Sequence, residues 1–167
     1  MTKEEFVGKV ENWDGHRVFL WKALGATTGK VIELGMGKGS TKQLHDYCEN
    51  RLLFSYEYDF NFYKRFKNIE SPLHQLMWIE NWNDLHVMHE QGCDVLFVDH
   101  SPGERRKIDI AYYANKAQIL VIHDTEKEAD HGYQMLAEIN KFKYIINDET
   151  FPARTTMCSN FIDVTKL

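Results

Sequence analysis

The chain has 167 residues, 43% of them hydrophobic and 13% aromatic, enough for one substantial core and too few for two ordinary domains. A formal charge of −5, a pI near 5.9 and twenty Lys and Arg residues without a long basic run argue against a nucleic-acid partner, so a small-molecule partner is expected. The first residues lack a signal-like apolar core and no window approaches a membrane span, which predicts a cytoplasmic protein with no membrane partner. Cys48, Cys93 and Cys158 form no C-x-x-C pair and read as reduced thiols.

From Lys3 to Leu24, apolar residues recur at roughly helical intervals (Phe6, Val10, Trp13, Val18, Phe19, Trp21, Leu24) and are interrupted at Asp14-Gly15. Two short helices are expected, forming a leader up to residue 28. The core is then expected to run from residue 29 to the end, within a single domain.

Lys30 to Thr41, KVIELGMGKGST, reads as strand, tight loop and helix: an apolar run carrying Glu33, then Gly35, Gly37 and Gly39, then Ser40-Thr41 as a cap. Glycines there tolerate positive φ and let a ligand approach bare backbone, while the helix start offers unpaired N–H groups, so a nucleotide-like ligand is implied. A P-loop needs Gly-Lys followed by Ser or Thr; Gly39 follows Lys38, and Ile32 stands at the first glycine position. The dinucleotide fingerprint wants Gly or Ala where Ser40 stands.

Ser40 to Asn50 is a predicted helix, and Leu52 to Glu57 a second strand ending about twenty residues past the glycines, where dinucleotide-type folds place a carboxylate on ribose hydroxyls. Glu57 fits that place, with Asp59 as its rival. A polar helix over Asn61 to Asn68 and a strand over Leu73 to Ile79 follow. The apolar runs Cys93 to Asp99 and Gln118 to His123 read as strands buried on both faces, separated by a helix from Glu104 to Lys116. They deliver Asp99, His100, His123 and Asp124 to one rim, the end of an open α/β sheet where ligands bind. A last helix is expected from Gly132 to Phe142. Strands at Lys143 to Asn147 and Thr156 to Val164 are joined by a connection too short for a parallel crossover, hence an antiparallel hairpin.

The E-x-G-x-G-x-G/S turn and this element order resemble the class I S-adenosylmethionine-dependent methyltransferases, from about Lys30 to the end. The resemblance implies a three-layer, doubly wound, Rossmann-like α/β fold: a seven-stranded sheet, mostly parallel, with a C-terminal antiparallel hairpin. It implies S-adenosylmethionine held by Glu33, Gly35, Met36, Gly37, Gly39, Ser40, Thr41, Glu57 and Asp99, with Asn81 and Trp82 meeting the adenine. It also implies an acceptor pocket that the leader covers with Trp13, His16 and Trp21.

The strand-end acids are similar to those of the small metal-dependent O-methyltransferases of the catechol, macrocin and rhamnosyl types. That likeness implies Mg²⁺ on Asp99 and Asp124, the third ligand being Thr125 or His123; His123 also admits Mn²⁺. Pro102 stands where the catechol enzymes carry a lysine base. The expected activity is therefore O-methyl transfer to a small molecule, catalysed by Asp99, His100, His123 and Asp124, with or without metal, and Arg105 or Arg106 is available to an anionic acceptor. A homodimer would complete a cleft that the short leader leaves open. An NAD(P)-dependent oxidoreductase-like domain and a non-catalytic methyltransferase-like binding subunit remain as alternatives.

Overall fold

The computed structural model describes residues 1–9 and 13–167, with residues 128–130 as backbone only. The leader forms α1 (Lys3–Val7) and α2 (His16–Gly25). Val10, counted in its apolar stripe, lies outside the described residues. Thr2 and Glu5 close a reciprocal capping box on α1, which satisfies two amide donors of a helix only five residues long.

Seven strands follow: β1 (Val31–Leu34), β2 (Leu53–Glu57), β3 (His74–Trp78), β4 (Cys93–Val98), β5 (Ala117–His123), β6 (Tyr144–Asp148) and β7 (Thr155–Ser159). Between them lie α3 (Thr41–Tyr47), α4 (Phe60–Phe66), α5 (Asp84–Met88), α6 (Arg106–Tyr113), α7 (Lys127–Tyr133) and α8 (Leu136–Ile139). Their order in the sheet is β3-β2-β1-β4-β5-β7-β6. The first five strands are parallel, and β7 inserts antiparallel between β5 and β6, as the short connection required.

Side chains alternate across this sheet with period two, so each strand feeds two cores. Ile32, Leu34, Leu96, Val98, Leu120 and Ile122 face α5, α6 and α8, where Leu85, Ile110, Tyr113 and Ile139 meet them. Val31, Val95, Phe97, Ile119 and Val121 face the opposite layer, with Phe19, Leu20 and Leu24 of α2 and Leu44 of α3. That second layer explains the leader: α2 is the helix that covers the centre of the sheet on this side.

Most element bounds shift by one to three residues from expectation, and three differences go further. The last helix is two, because Gln134 adopts φ 55° and breaks it between α7 and α8. The seventh strand stops at Ser159, whose hydroxyl accepts the amides of Phe161 and Ile162 and turns the chain out of the sheet. The helix expected from Glu104 starts as a 3-10 turn at Gly103–Arg105. Among the described residues no helix is long and apolar enough to cross a membrane. All three cysteines are buried and free.

Candidate active site

The strand order reverses between β1 and β4, and a crevice opens outside their carboxyl ends. Gly35, the residue after β1, turns there with φ 91°. A Cβ on it would lie 2.5 Å from the carbonyl oxygen of Asp99, the residue after β4, so the two chains approach at a distance only glycine permits.

The other two glycines have different duties. Gly37 donates its amide to Thr41 Oγ1 at 2.8 Å and has room for a methyl group. Gly39 is held by the leader: its carbonyl accepts from Arg17 Nε at 2.7 Å and faces His16 Nε2 at 3.2 Å, while a Cβ would meet Asp14 Oδ1 at 2.6 Å. The Ser40 hydroxyl does not cap α3; it donates to Glu33 Oε1 at 2.5 Å, beside Thr41 Oγ1 at 3.0 Å.

Glu33 thus braces the loop from within the sheet. Burial drives its carboxyl from the ordinary 4.5 up to about 7, against the opposing hydrogen bonds from Ser40, Ser55 and Thr41. A carboxyl raised on folding gives stability that is whole below its unfolded pKa and lost as pH rises through the folded one. Glu33→Gln abolishes that loss. Its unfolding free energy, from urea titrations at pH 5 and pH 8, is therefore expected to gain on the wild type by about 1–3 kcal/mol across that interval.

At the end of β2, Glu57 accepts three backbone amides: Met36 on Oε2 at 2.9 Å, and Tyr58 and Asp59 on Oε1 at 2.9 and 2.8 Å. Burial raises its pKa, and those three bonds oppose the rise. The carboxylate stitches the glycine loop to the β2 end and keeps an acceptor site on Oε2. Asp59, its rival in the sequence, caps α4 through the amides of Asn61 and Phe62. Glu57, Gly35, Met36, Tyr58, Asp59, Phe62, Asp99 and Ser101 line a cleft of about 380 Å³. Tyr58 and Phe62 carried no signal in the sequence beyond lying next to Glu57 and on the following helix.

Asp99, which lines this cleft, converges with His123 and Asp124. His123 Nδ1 lies 3.3 Å from Asp99 Oδ1 and 3.2 Å from Asp124 Oδ1, and one ligand atom from each residue falls within 4.8 Å of the others. Asp124 adopts φ 57°, in the left-handed region that Asp enters more readily than most residues with a Cβ. Burial pushes Asp99 up, but the His123 hydrogen bond and the charges of His123 and Arg106 outweigh it and hold the carboxyl below its usual range. Burial conversely lowers His123, and the same bond with the charges of Asp99 and Asp124 leaves it above its ordinary value.

Arg106 completes the group in a way the sequence did not disclose. Its Nη2 donates to Asp99 Oδ1 at 3.0 Å and its Nη1 to Asp124 Oδ2 at 3.1 Å. Neither it nor Arg105 is free for an anionic acceptor, because Arg105 is bound to Asp109 and Asn83.

Other expected residues lie elsewhere. His100 turns away from the cleft: its fully buried ring packs on Trp82 at 4.3 Å and puts Nε2 3.0 Å from Asp109 Oδ2. Trp82 is core, donating its indole N–H to the Ser101 carbonyl, and the exposed Asn81 bonds the Asn83 amide; neither lines the cleft. In the leader, Trp13 is 68% exposed and Trp21 packs on Phe6 and Tyr47. His16 does reach the site, edge to face with His123 at 4.8 Å.

The chain has the class I methyltransferase fold, on the strand order, the reversed hairpin and the site at the reversal point. Many solved structures share it, three of which follow. A Klebsiella pneumoniae protein described as an O-methyltransferase superposes with TM-score 0.70 at 10% identity, over 96% of this chain and 86% of that one. TomG of Streptomyces achromogenes, an O-methyltransferase of tomaymycin synthesis solved with S-adenosylmethionine, gives 0.67 at 12%, over 92% and 82%. The N-methyltransferase NodS of Bradyrhizobium japonicum gives 0.63 at 10%, over 88% and 94%. No family model and no curated protein matches the sequence.

Proposed function

We propose that this single-domain chain is an S-adenosylmethionine-dependent methyltransferase acting on an oxygen of a small molecule. The observation that carries the reading is the cleft at the strand-order reversal, bounded by the bare backbone of Gly35, the Glu57 carboxylate and Asp99. Its volume suits a nucleoside-sized ligand. O- and N-methyltransferases alike share the fold, so the acceptor class rests on the side chains.

S-adenosylmethionine would supply an activated methyl group; the protein has to orient the partners and take a proton. Glu57 Oε2 would accept ribose hydroxyls, and Tyr58 and Phe62, which line the same cleft, would meet the adenine face. Asp99, a quarter exposed at the cleft, is the group an acceptor hydroxyl would touch. Asp99 takes its proton as the methyl transfers, and His123 behind it, whose Nδ1 faces the Asp99 and Asp124 carboxylates and so already carries a hydrogen, holds Asp99 in line. His16, lowered to about 4 by burial and by the charge of His123, stays neutral beside it.

A divalent ion does not fit. It would bind Asp99 and Asp124 against a guanidinium already bonded to both, a repulsion of about 4 kcal/mol per unit charge at ~4 Å and an effective dielectric of 20. No step is assigned to a metal.

Calorimetry of the purified chain with S-adenosylmethionine and S-adenosylhomocysteine is expected to show saturable binding without added metal. Glu57→Ala is expected to weaken it about tenfold or more, the loss of a charge-assisted bond to the sugar. NADH binding with no response to either sulfur nucleoside would instead identify an oxidoreductase-like domain. Cofactor binding without transfer to any hydroxylated acceptor would identify a binding subunit.

A further inference from the structure

The cation beside the two acids belongs to the protein itself. Arg106 opens α6, directly after the 3-10 turn, and its side chain runs back under the ends of β4 and β5 with only 5% exposed. Four donated hydrogen bonds place it there. Nε gives to the His100 carbonyl at 2.7 Å, Nη1 to the His123 carbonyl at 3.2 Å and to Asp124 Oδ2, and Nη2 to Asp99 Oδ1. The two carbonyls are the backbone of both strand ends, so the guanidinium is fixed to the same frame that carries the acids.

The site is also roofed. The Tyr133 ring of α7 lies over the guanidinium at 5.0 Å, and it can do so because Gly103 has no side chain; a Cβ there would fall 2.1 Å from Tyr133 Cε1. A planar fork between two carboxylates performs two of the jobs of a divalent ion: it neutralises the pair and sets the direction of each oxygen. A hydrated ion can leave such a site. A buried guanidinium tied to two carbonyls cannot.

We propose that Arg106 is a resident cation, a positioning residue that holds Asp99 and Asp124 in the place of a metal, so that this cleft is metal-free by construction. The inference rests on the methyltransferase reading for its meaning in catalysis, but not for its test. Mn²⁺ added to the 167-residue chain, followed by electron paramagnetic resonance, is expected to show no saturable site at millimolar concentration. Arg106→Met and Arg106→Gln, which uncover the two acids, are expected to gain one Mn²⁺ site at least about tenfold tighter than any residual wild-type binding, and Asp99→Asn in the same background to lose it. A saturable wild-type Mn²⁺ site that Asp99→Asn abolishes overturns the proposal, and so do folded Arg106 variants that gain none. If those variants do not fold, the wild type against Asp99→Asn decides alone. Calorimetry on the same preparation separates the two readings: a sample that ignores Mn²⁺ and also ignores S-adenosylmethionine overturns the proposed activity and leaves the resident cation standing.

Discussion

Gly35→Ala is expected to cost about 3–5 kcal/mol, a large share of the roughly 5–15 kcal/mol that holds a typical domain folded. Two penalties combine. The residue sits at φ 91°, where an L side chain is strained, and its new methyl would lie 2.5 Å from Asp99 O and 2.7 Å from His100 Cα. Neither side can retreat, since the Gly35 amide is bonded to the Tyr56 carbonyl at 2.9 Å and the Asp99 amide to the Leu34 carbonyl at 2.8 Å. Thermal unfolding followed by circular dichroism should fall by roughly 10 °C or more. Gly37→Ala is the matched control. Its methyl would find its nearest neighbour, Ser40 Oγ, at 3.5 Å, so that variant should fold normally and lose at most ligand affinity. Equal destabilisation of both variants would show that the loop, and not the close crossing of β1 and β4, sets the glycine requirement.

Asp109→Ala is expected to be as damaging, about 3–5 kcal/mol, for an electrostatic reason. The carboxylate is fully buried on α6. Arg105 grips it with two bonds of 2.9 Å, and His86 Nε2 and His100 Nε2 lie at 2.8 and 3.0 Å. Burial raises its pKa, but the His100 hydrogen bond, the Arg105 bonds and both their charges hold it below its ordinary value. A carboxylate lowered on folding lends stability above its unfolded pKa and loses it as pH falls through the folded one, so the wild type should weaken in acid and Asp109→Ala should weaken less there, keeping only the part carried by groups such as Asp99. Asp109→Asn keeps the shape and drops the charge, and should fall between. His100→Asn should also lower the melting temperature, in keeping with a residue of this network. Undiminished stability together with lost turnover would return His100 to the reacting groups.

These two sites mark different limits on what could be read from the residues. At Gly35, the apolar run, the glycine spacing and Glu57 on the next strand carried both the loop and its place in the sheet, because they are local patterns with one backbone solution. The hairpin was legible for the same reason: the segment after Asp148 leaves no room for a crossover. His100 was not. It is adjacent in sequence to Asp99, yet successive residues at a strand end point to opposite sides, and one of the pair enters the cleft while the other enters the α5/α6 layer.

The sequence by itself determined the class of the fold, the end of the sheet that carries the site, and the meeting of Asp99, His123 and Asp124 there, since period-two burial and strand-end placement follow from short-range rules. Tertiary structure alone decided what neutralises those acids and what closes on the loop. Arg105 and Arg106 are neighbours with the same side chain, and one step of about 100° around the start of α6 sends the first to Asp109 and the second to Asp99 and Asp124. The clasp of His16 and Arg17 on the Gly39 carbonyl likewise arises only when α2 docks across the sheet. Charge pairing in a folded interior depends on direction and distance in three dimensions, and composition and spacing do not carry those.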